Sequence, residues 1–425
     1  MFLASSPYKT CVSSYLIDSV FWFLKDKCMN RKIVMAAGWL LAAASHAQTL
    51  GVALEQAWSR HPQAAALGAR EAEAQARADV AAGLTPTPPS MSLSNSSDRF
   101  NADGGKDTWE LELALPLWLP GQRAARALES SSAASEVTAR RAALRLQLAG
   151  ELREVWWQLA AARQAHDLAT QRETAARALE SDVLRRFKVG ELARVDANLA
   201  QNERLAAEGE RLDAQAALRQ AEQTYRTLTG ADAPLSLAGE AESTGADMGA
   251  LHPQSAAAQA AAQLAQARLN VARQTGREAP ELTVWLGRSR GDYSAPYAKS
   301  VGIKLTVPFS SGARVRQETA AAQADAWQAE AEAALTLQRL ALESVRAQRD
   351  RDAAQGQFTR AQERLALTDD TLHLTEKAFA LGESDLASVL RARRAAFEAQ
   401  ADLHRQRTAQ AASRSRLNQS MGVMP

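Results

Sequence analysis

Five histidines follow residue 47: His61, His166, His252, His373 and His404. Zinc and copper sites need three or four converging ligands, usually histidine, cysteine or carboxylate. None of the five lies three or four residues from another, and both cysteines, Cys11 and Cys28, stand before residue 30. His61 and His252 each precede a proline, a context that starts helices. No glycine-rich phosphate loop follows a strand, and no nucleophile stands beside a base. These residues assign no metal, no cofactor and no catalytic group, so an enzyme reading has nothing behind it. Trp156-Trp157 reads as a helix-packing or interface pair. Two glycine-centred runs also carry ordinary fixed charge beside them. Asp196 follows Val189-Gly190-Glu191, and Asp385 follows Leu381-Gly382-Glu383. The glycines suit a left-handed turn or helix cap. Singly, either carboxylate is an ordinary solvated helix charge, so the elements that carry them decide what they do.

Those two turns are copies. His61-Pro62-Gln63 recurs as His252-Pro253-Gln254, Leu113-Ala114-Leu115-Pro116 as Leu305-Thr306-Val307-Pro308, and Phe187-Lys188-Val189-Gly190-Glu191 as Phe379-Ala380-Leu381-Gly382-Glu383. Leu228-Thr229-Gly230 matches Ser420-Met421-Gly422. The offsets are 191, 192, 192 and 192 residues, so chance agreement is excluded. Residues 48–246 and 247–425 form two repeats of one plan: helix, two strands, very long helix, turn, return helix.

The opening helix is expected from about Leu50 to Ala82 and again from Ser255 to Gln274. Prolines 86, 88, 89 and 280 then punctuate the chain. Next, Trp109, Leu111, Leu113, Leu115 and Leu117 alternate with Glu110, Glu112 and Ala114, while Val301, Ile303, Leu305 and Val307 alternate with Gly302, Lys304 and Thr306. Weaker partners run from Met91 to Ser97 and from Leu282 to Arg288. Such two-faced segments suit a transmembrane barrel and equally a half-buried soluble hairpin. The helices separate the two. No proline interrupts 121–233 or 309–424, and apolar residues recur at steps of three and four through Leu144, Leu148, Leu152, Val155 and Leu159. Gly121 to Phe187 spans 67 residues, a rod of about 100 Å. A globular core cannot use such a rod, so it must pack lengthwise against other helices. Gly190 and Gly382 mark where the rods reverse, and Gly230 and Gly422 where the return helices stop. Four strands cannot close a transmembrane barrel, whose minimum is about 8. Closure requires sister copies, and three would supply about 12 strands around a watery lumen.

The start of the chain reads as an address. Met29-Asn30-Arg31-Lys32 is basic, Ile33 to Ala44 apolar, and Ser45-His46-Ala47 a small-x-small cleavage site. Residues 29–47 thus read as a secretory signal peptide, with 1–28 expected to be an upstream start-site extension or, alternatively, the first part of a longer, two-part signal. No cysteine follows the cleavage site to take a lipid anchor. Formal charge is +2, and without residues 1–47 there remain 45 basic and 46 acidic side chains, a balance that asks for no nucleic acid.

The duplicated plan, the run Leu115-Pro116-Leu117-Trp118-Leu119-Pro120-Gly121-Gln122-Arg123, and the turns Phe187 to Asp196 and Phe379 to Leu386 resemble TolC-type outer-membrane efflux proteins. The Pro-Gly-Gln-Arg run is similar to their heavy-metal, CzcC-like branch. The resemblance implies a mainly helical fold with a small β part. Long antiparallel helical hairpins would form an α-barrel in the periplasm, and four strands per chain would join a homotrimeric, 12-stranded barrel in outer-membrane lipid of a Gram-negative bacterium. It further implies passive export of heavy-metal cations, driven by an inner-membrane pump of the resistance–nodulation–division (RND) class through a periplasmic adaptor, or membrane fusion, protein. Drug efflux and type I secretion are alternatives on the same fold, and a pore-less periplasmic coiled-coil scaffold is an alternative of another kind. By the same resemblance Val189, Gly190, Glu191, Leu381, Gly382 and Glu383 meet the adaptor, and Asp196 and Asp385 are candidates for the periplasmic gate. Ser388 and Arg391 occupy second-repeat positions where relatives carry aspartate, so a strict acidic ring is not expected.

Overall fold

The computed structural model describes residues 49–242, 252–309 and 312–425. The signal peptide, the upstream extension, both cysteines and the boundary between the repeats at 246–247 lie outside the described residues.

One order of elements occurs twice. The first half contains α1 (Leu50–Arg60), α2 (Pro62–Ala82), β1 (Ser90–Ser97), β2 (Asp107–Pro116), α3 (Gln122–Lys188) and α4 (Arg194–Thr229). The second contains α5 (Pro253–Gln274), β3 (Glu281–Arg290), β4 (Ala298–Thr306), α6 (Gly312–Ala380) and α7 (Leu386–Ser420). The long rods have 67 and 69 residues, each about 100 Å of helix. One expectation fails. The opening helix of the first half breaks at His61, which is extended at φ −71°, ψ 123°. Proline removes an amide donor and pushes the residue before it out of the helical region, so Pro62 starts a new helix instead of continuing the old one.

All four strands join one antiparallel sheet in the order β1-β2-β3-β4. The central pair, β2 and β3, comes from different halves and places Leu111 opposite Leu286 and Leu113 opposite Val284. β1 and β4 are the outer strands. The fainter segments, Ser-rich β1 and β3, pair along their full length.

Each rod folds back on its return helix, α3 on α4 and α6 on α7, while α5 packs against both rods. The contacts follow seven-residue steps. On α6 the buried positions are Ala326, Ala333, Leu340, Ala347 and Ala361, separated by seven or fourteen residues. On α3 and α4 they include Ala176 with Val183, and Ala200 with Ala207. A seven-residue seam is the pattern of coiled-coil packing, and alanine in it lets the backbones approach closely. Ion pairs between α3 and α4 keep the same interval: Glu173 with Arg211 at 2.7 Å and Glu180 with Arg204 at 2.9 Å. Both partners step by seven in opposite directions, which sets the antiparallel register.

Midway along α3 lies the main apolar core, where Leu148, Leu152, Trp156 and Leu159 meet Leu50 and Leu54 of α1 and Tyr225 of α4. The Trp156 indole donates to the Ala238 carbonyl at 3.2 Å, and Trp157 donates to the Ser415 hydroxyl on α7 at 2.9 Å. Both tryptophans therefore serve packing. Beside them sits a buried cation, Arg153. Its guanidinium makes paired bonds to the Glu240 carboxylate at 2.7 and 2.9 Å, and it donates to Gln419 and, at 3.0 Å, to the Val423 carbonyl. One side chain thus ties α3, the segment after α4 and the end of α7. Removing one member of a buried ion pair leaves the other without compensation, at a cost of about 3–5 kcal/mol. Arg153→Met should therefore lower stability by about 3 kcal/mol or more in denaturant titrations of the detergent-solubilised protein. Arg153→Met with Glu240→Leu should recover part of that loss, and equal destabilisation by the single and double variants would refute the ion-pair account.

Candidate channel wall and hairpin tips

The sheet has two chemically opposite faces. Strand side chains alternate, so the registered pairs define rows across all four strands. One face carries Met91-Leu113-Val284-Ile303 as one row, Leu93-Leu111-Leu286-Val301 as the next, and Leu115-Leu282-Leu305 as a third. No described element covers it, and Met91 and Ile303 are each 74% exposed. The opposite face carries Ser90, Ser92, Ser94, Glu110, Glu112, Thr283, Trp285, Gly287, Ser300, Gly302 and Lys304. There Trp285 lies across the strand on Gly302, where a Cβ would come within 2.4 Å of the indole. A glycine is required at that crossing because the ring occupies the side-chain space. An uncovered apolar belt with a polar reverse side fits lipid outside and water inside. No described helix is long and apolar enough to cross a membrane.

The joint between sheet and rod uses the run 115–123. Gly121 takes φ +78° as the cap of α3, the Gln122 side chain accepts from the Leu119 amide at 3.1 Å, and Arg123 donates to the Ala82 carbonyl at 2.7 Å. Trp118 donates to the Gly83 carbonyl at 3.2 Å. Every member of the Pro-Gly-Gln-Arg run therefore turns or clamps the chain, and none of these contacts is specific to a cargo.

At the far end the two hairpins reverse in the same way. Gly190 has φ +83°, with its amide donating to Phe187 at 3.0 Å and that of Glu191 to Arg186 at 2.9 Å. Gly382 has φ +79°, with Gly382 to Phe379 at 3.1 Å and Glu383 to Ala378 at 2.9 Å. Both are Schellman caps, which need a residue free to take positive φ. A Cβ on either glycine would meet nothing within 4 Å, so only backbone strain opposes substitution. The tips pack side by side through Leu179, Val183 and Ala200 with Leu386, ringed by Leu192, Phe379 and Leu390. Beyond that core Val189 and Leu381, repeat equivalents, point into open space at 72% and 67% exposure.

The two aspartates turn out to be helix caps, by complementary halves of one motif. Asp196, third in α4, accepts from the Ala193 amide at 3.1 Å. Asp385, at the N-cap of α7, accepts from the Ser388 amide at 2.9 Å. Ser388 in turn accepts from Arg391 at 2.9 Å. The structure thus places both carboxylates at the tips, in different positions of their turns. Among the histidines, His252 caps α5 by accepting from the Gln254 amide at 3.2 Å, and burial holds its pKa below the ordinary value. His61 stacks on Trp58 with centroids 6.4 Å apart. Among the described residues no group of three or more histidines, cysteines and carboxylates could hold a metal ion.

Hydrogen bonds from the Ser388 hydroxyl and amide hold the Asp385 carboxyl below its usual range, and Arg391 adds to this. A lowered folded-state pKa means that the cap's contribution is complete above the ordinary value of 3.8 and is lost as pH falls through the folded value. Amide exchange at Ser388 should therefore accelerate, relative to neighbouring turns, once the pH drops below about 4. Asp385→Asn should abolish that pH dependence, and its persistence in the variant would assign it to another group.

Residues 249–423 match the family model described as outer membrane efflux protein. Among curated proteins none matches the chain significantly. Solved structures match nearly its whole described length. The outer membrane protein VceC of Vibrio cholerae is 17% identical with a TM-score of 0.70, covering 88% of this chain and 96% of its own. The CmeC outer membrane channel of Campylobacter jejuni is 16% identical with a TM-score of 0.72, covering 88% and 85%. The open state of the Neisseria gonorrhoeae MtrE outer membrane channel is 14% identical with a TM-score of 0.71, covering 88% and 89%. At these identities the likeness is one of fold. The second half of the chain thus resembles outer membrane efflux proteins, and the described chain shares the fold of the VceC, CmeC and MtrE structures.

Proposed function

We propose that this chain, exported by the signal at 29–47, is one protomer of a homotrimeric outer-membrane channel, the passive exit duct of a tripartite efflux system. One observation carries the reading: the sheet's apolar face spans all four strands and no described element covers it. Water does not tolerate such a belt, and lipid does not tolerate the open edges of β1 and β4, so only closure with sister copies satisfies both. A second feature supports it. Leucines of α6 recur exposed at seven-residue steps, Leu335 with Leu342 and Leu367 with Leu374, and α4 repeats the habit with Leu205 and Leu212. These are seams prepared for helices of neighbouring copies, completing an α-barrel in the periplasm.

In this reading the tips at Val189-Gly190-Glu191 and Leu381-Gly382-Glu383 receive the periplasmic adaptor, and an inner-membrane RND pump supplies the energy. Three copies bring Asp196 and Asp385 together around the periplasmic mouth, where carboxylates favour cations. The cargo assigned is heavy-metal cations, on the resemblance of the Pro-Gly-Gln-Arg run at 120–123 alone. Drug or protein export through the same fold is the competing outcome, and a deletion strain with metal-specific sensitivity separates them.

Mature protein purified in mild detergent should migrate as a heat-sensitive trimer and open pores in planar bilayers, with Asp196→Lys changing single-channel conductance. A stable, water-soluble monomer would sink the channel and favour the pore-less scaffold. Val189→Asp with Leu381→Asp should abolish resistance in cells while trimer yield stays unchanged, since neither side chain is needed for packing. Full resistance in that variant would remove the tips from docking.

A further inference from the structure

Beyond the belt, towards the β1–β2 and β3–β4 loops, the outward face changes character within one row. After Leu93-Leu111-Leu286-Val301 comes Asn95-Trp109-Arg288-Lys299, then Ser97-Asp107-Arg290. Arg288 and Lys299 are direct cross-strand neighbours on the lipid-facing side, and both are exposed. Like charges directly opposite in a sheet repel, so the pair needs a reason. The Arg288 guanidinium lies 3.9 Å from the centre of the Tyr297 ring, which orients it without neutralising it.

Among the described residues no carboxylate pairs with either cation. The one carboxylate on this face is Asp107, which stands opposite Arg290. It also accepts from Asn95 at 2.8 Å, from the Trp109 indole at 3.2 Å and from the Tyr297 hydroxyl at 3.0 Å. Among the described residues neither Arg288 nor Lys299 reaches a carboxylate within ion-pair distance. A neighbouring copy does not repair this. Barrel closure brings β1 of one copy against β4 of the next, and the outward residues of β1 are Met91, Leu93, Asn95 and Ser97. None is acidic, so no outward residue of β1 compensates the pair whatever the inter-copy register. Two free cations per chain therefore stand where the apolar belt ends, with the amphipathic ring of Trp109 beside them, the place and the company of an interfacial anchor.

We infer that Arg288 and Lys299 form a binding site for the phosphate group of an anionic lipid in the outer leaflet. The site rests on the channel reading, since that reading sets which face meets lipid. Guanidinium and ammonium held together on a rigid ribbon match a phosphate's charge and its several acceptor oxygens. The adjoining rows of leucine, valine and isoleucine take the acyl chains.

The test titrates the purified trimer, in uncharged detergent, with bisphosphorylated lipid A and with the same lipid after removal of its phosphates. Binding is followed by native mass spectrometry. The phosphorylated lipid should bind at least tenfold more tightly, and added salt should weaken it. Arg288→Gln with Lys299→Gln should bring its affinity down to that of the dephosphorylated lipid. Lys304→Gln, on the opposite face, should bind as the unaltered protein does. Equal affinity for the two lipids overturns the site without recourse to any variant. So does undiminished binding by the double variant, or an equal loss in Lys304→Gln. Trimer migration and bilayer pores are recorded on the same preparation. Their presence with no phosphate preference rejects the lipid site alone, whereas their absence rejects the channel and the site with it.

Discussion

A sheet with one oily face, no cover and two open edges cannot be an end state for a single chain in water. Two apolar rows cross all four described strands and a third crosses β2, β3 and β4, and the helices that might have roofed them run off in rods instead. The remaining features accommodate that constraint. The central pair of strands joins the two halves, so neither half owns a sheet of its own. The polar reverse face mixes large and small side chains, with serine at alternate positions of β1 and glycine under Trp285.

Away from the sheet, the rods solve a different problem, that of holding length without a globular core. Alanine seams at seven-residue steps bring helices close, and the Glu173–Arg211 and Glu180–Arg204 pairs repeat at the same interval. These pairs are largely buried between the two helices, so part of their attraction is spent on desolvation. Their regular spacing does more for register, because sliding α4 along α3 by one turn would break both together. The tips end in the same cap twice, yet the carboxylate that secures the following helix comes from the third position in one and from the cap itself in the other. Two copies of a plan have kept the geometry and exchanged the residue that provides it.

Much of this was legible in the amino-acid order because it is periodic. The alternation of Trp109, Leu111, Leu113 and Leu115 announced β2, and the proline-free stretch announced α3 to within a residue at each end. Gly190 and Gly382 marked the reversals because positive φ leaves few other choices. β1 and β3 were fainter, since inward serines and a tryptophan on the polar side blur the pattern. The break at His61 was written in Pro62 but overshadowed by the helical composition on both sides. Arg153 could not be found at all. An arginine inside an amphipathic helix reads as a surface residue, and its acceptors lie 87, 266 and 270 positions away. The capping duties of Asp196 and Asp385 were likewise hidden, because position beside a turn suggests charge before it suggests hydrogen bonding.

Those separations bear on the order of events during folding. Hairpins such as α3–α4 close locally and early, whereas contacts between residues hundreds of positions apart form late and slowly. Dehydrating the Arg153 guanidinium before Gln419 and Val423 arrive would leave part of its donor set unpaired, which is costly. The waist of the molecule is consequently a latch that the tail of the chain shuts, and a polypeptide caught before that moment is pliable at its middle while its arms are already stiff.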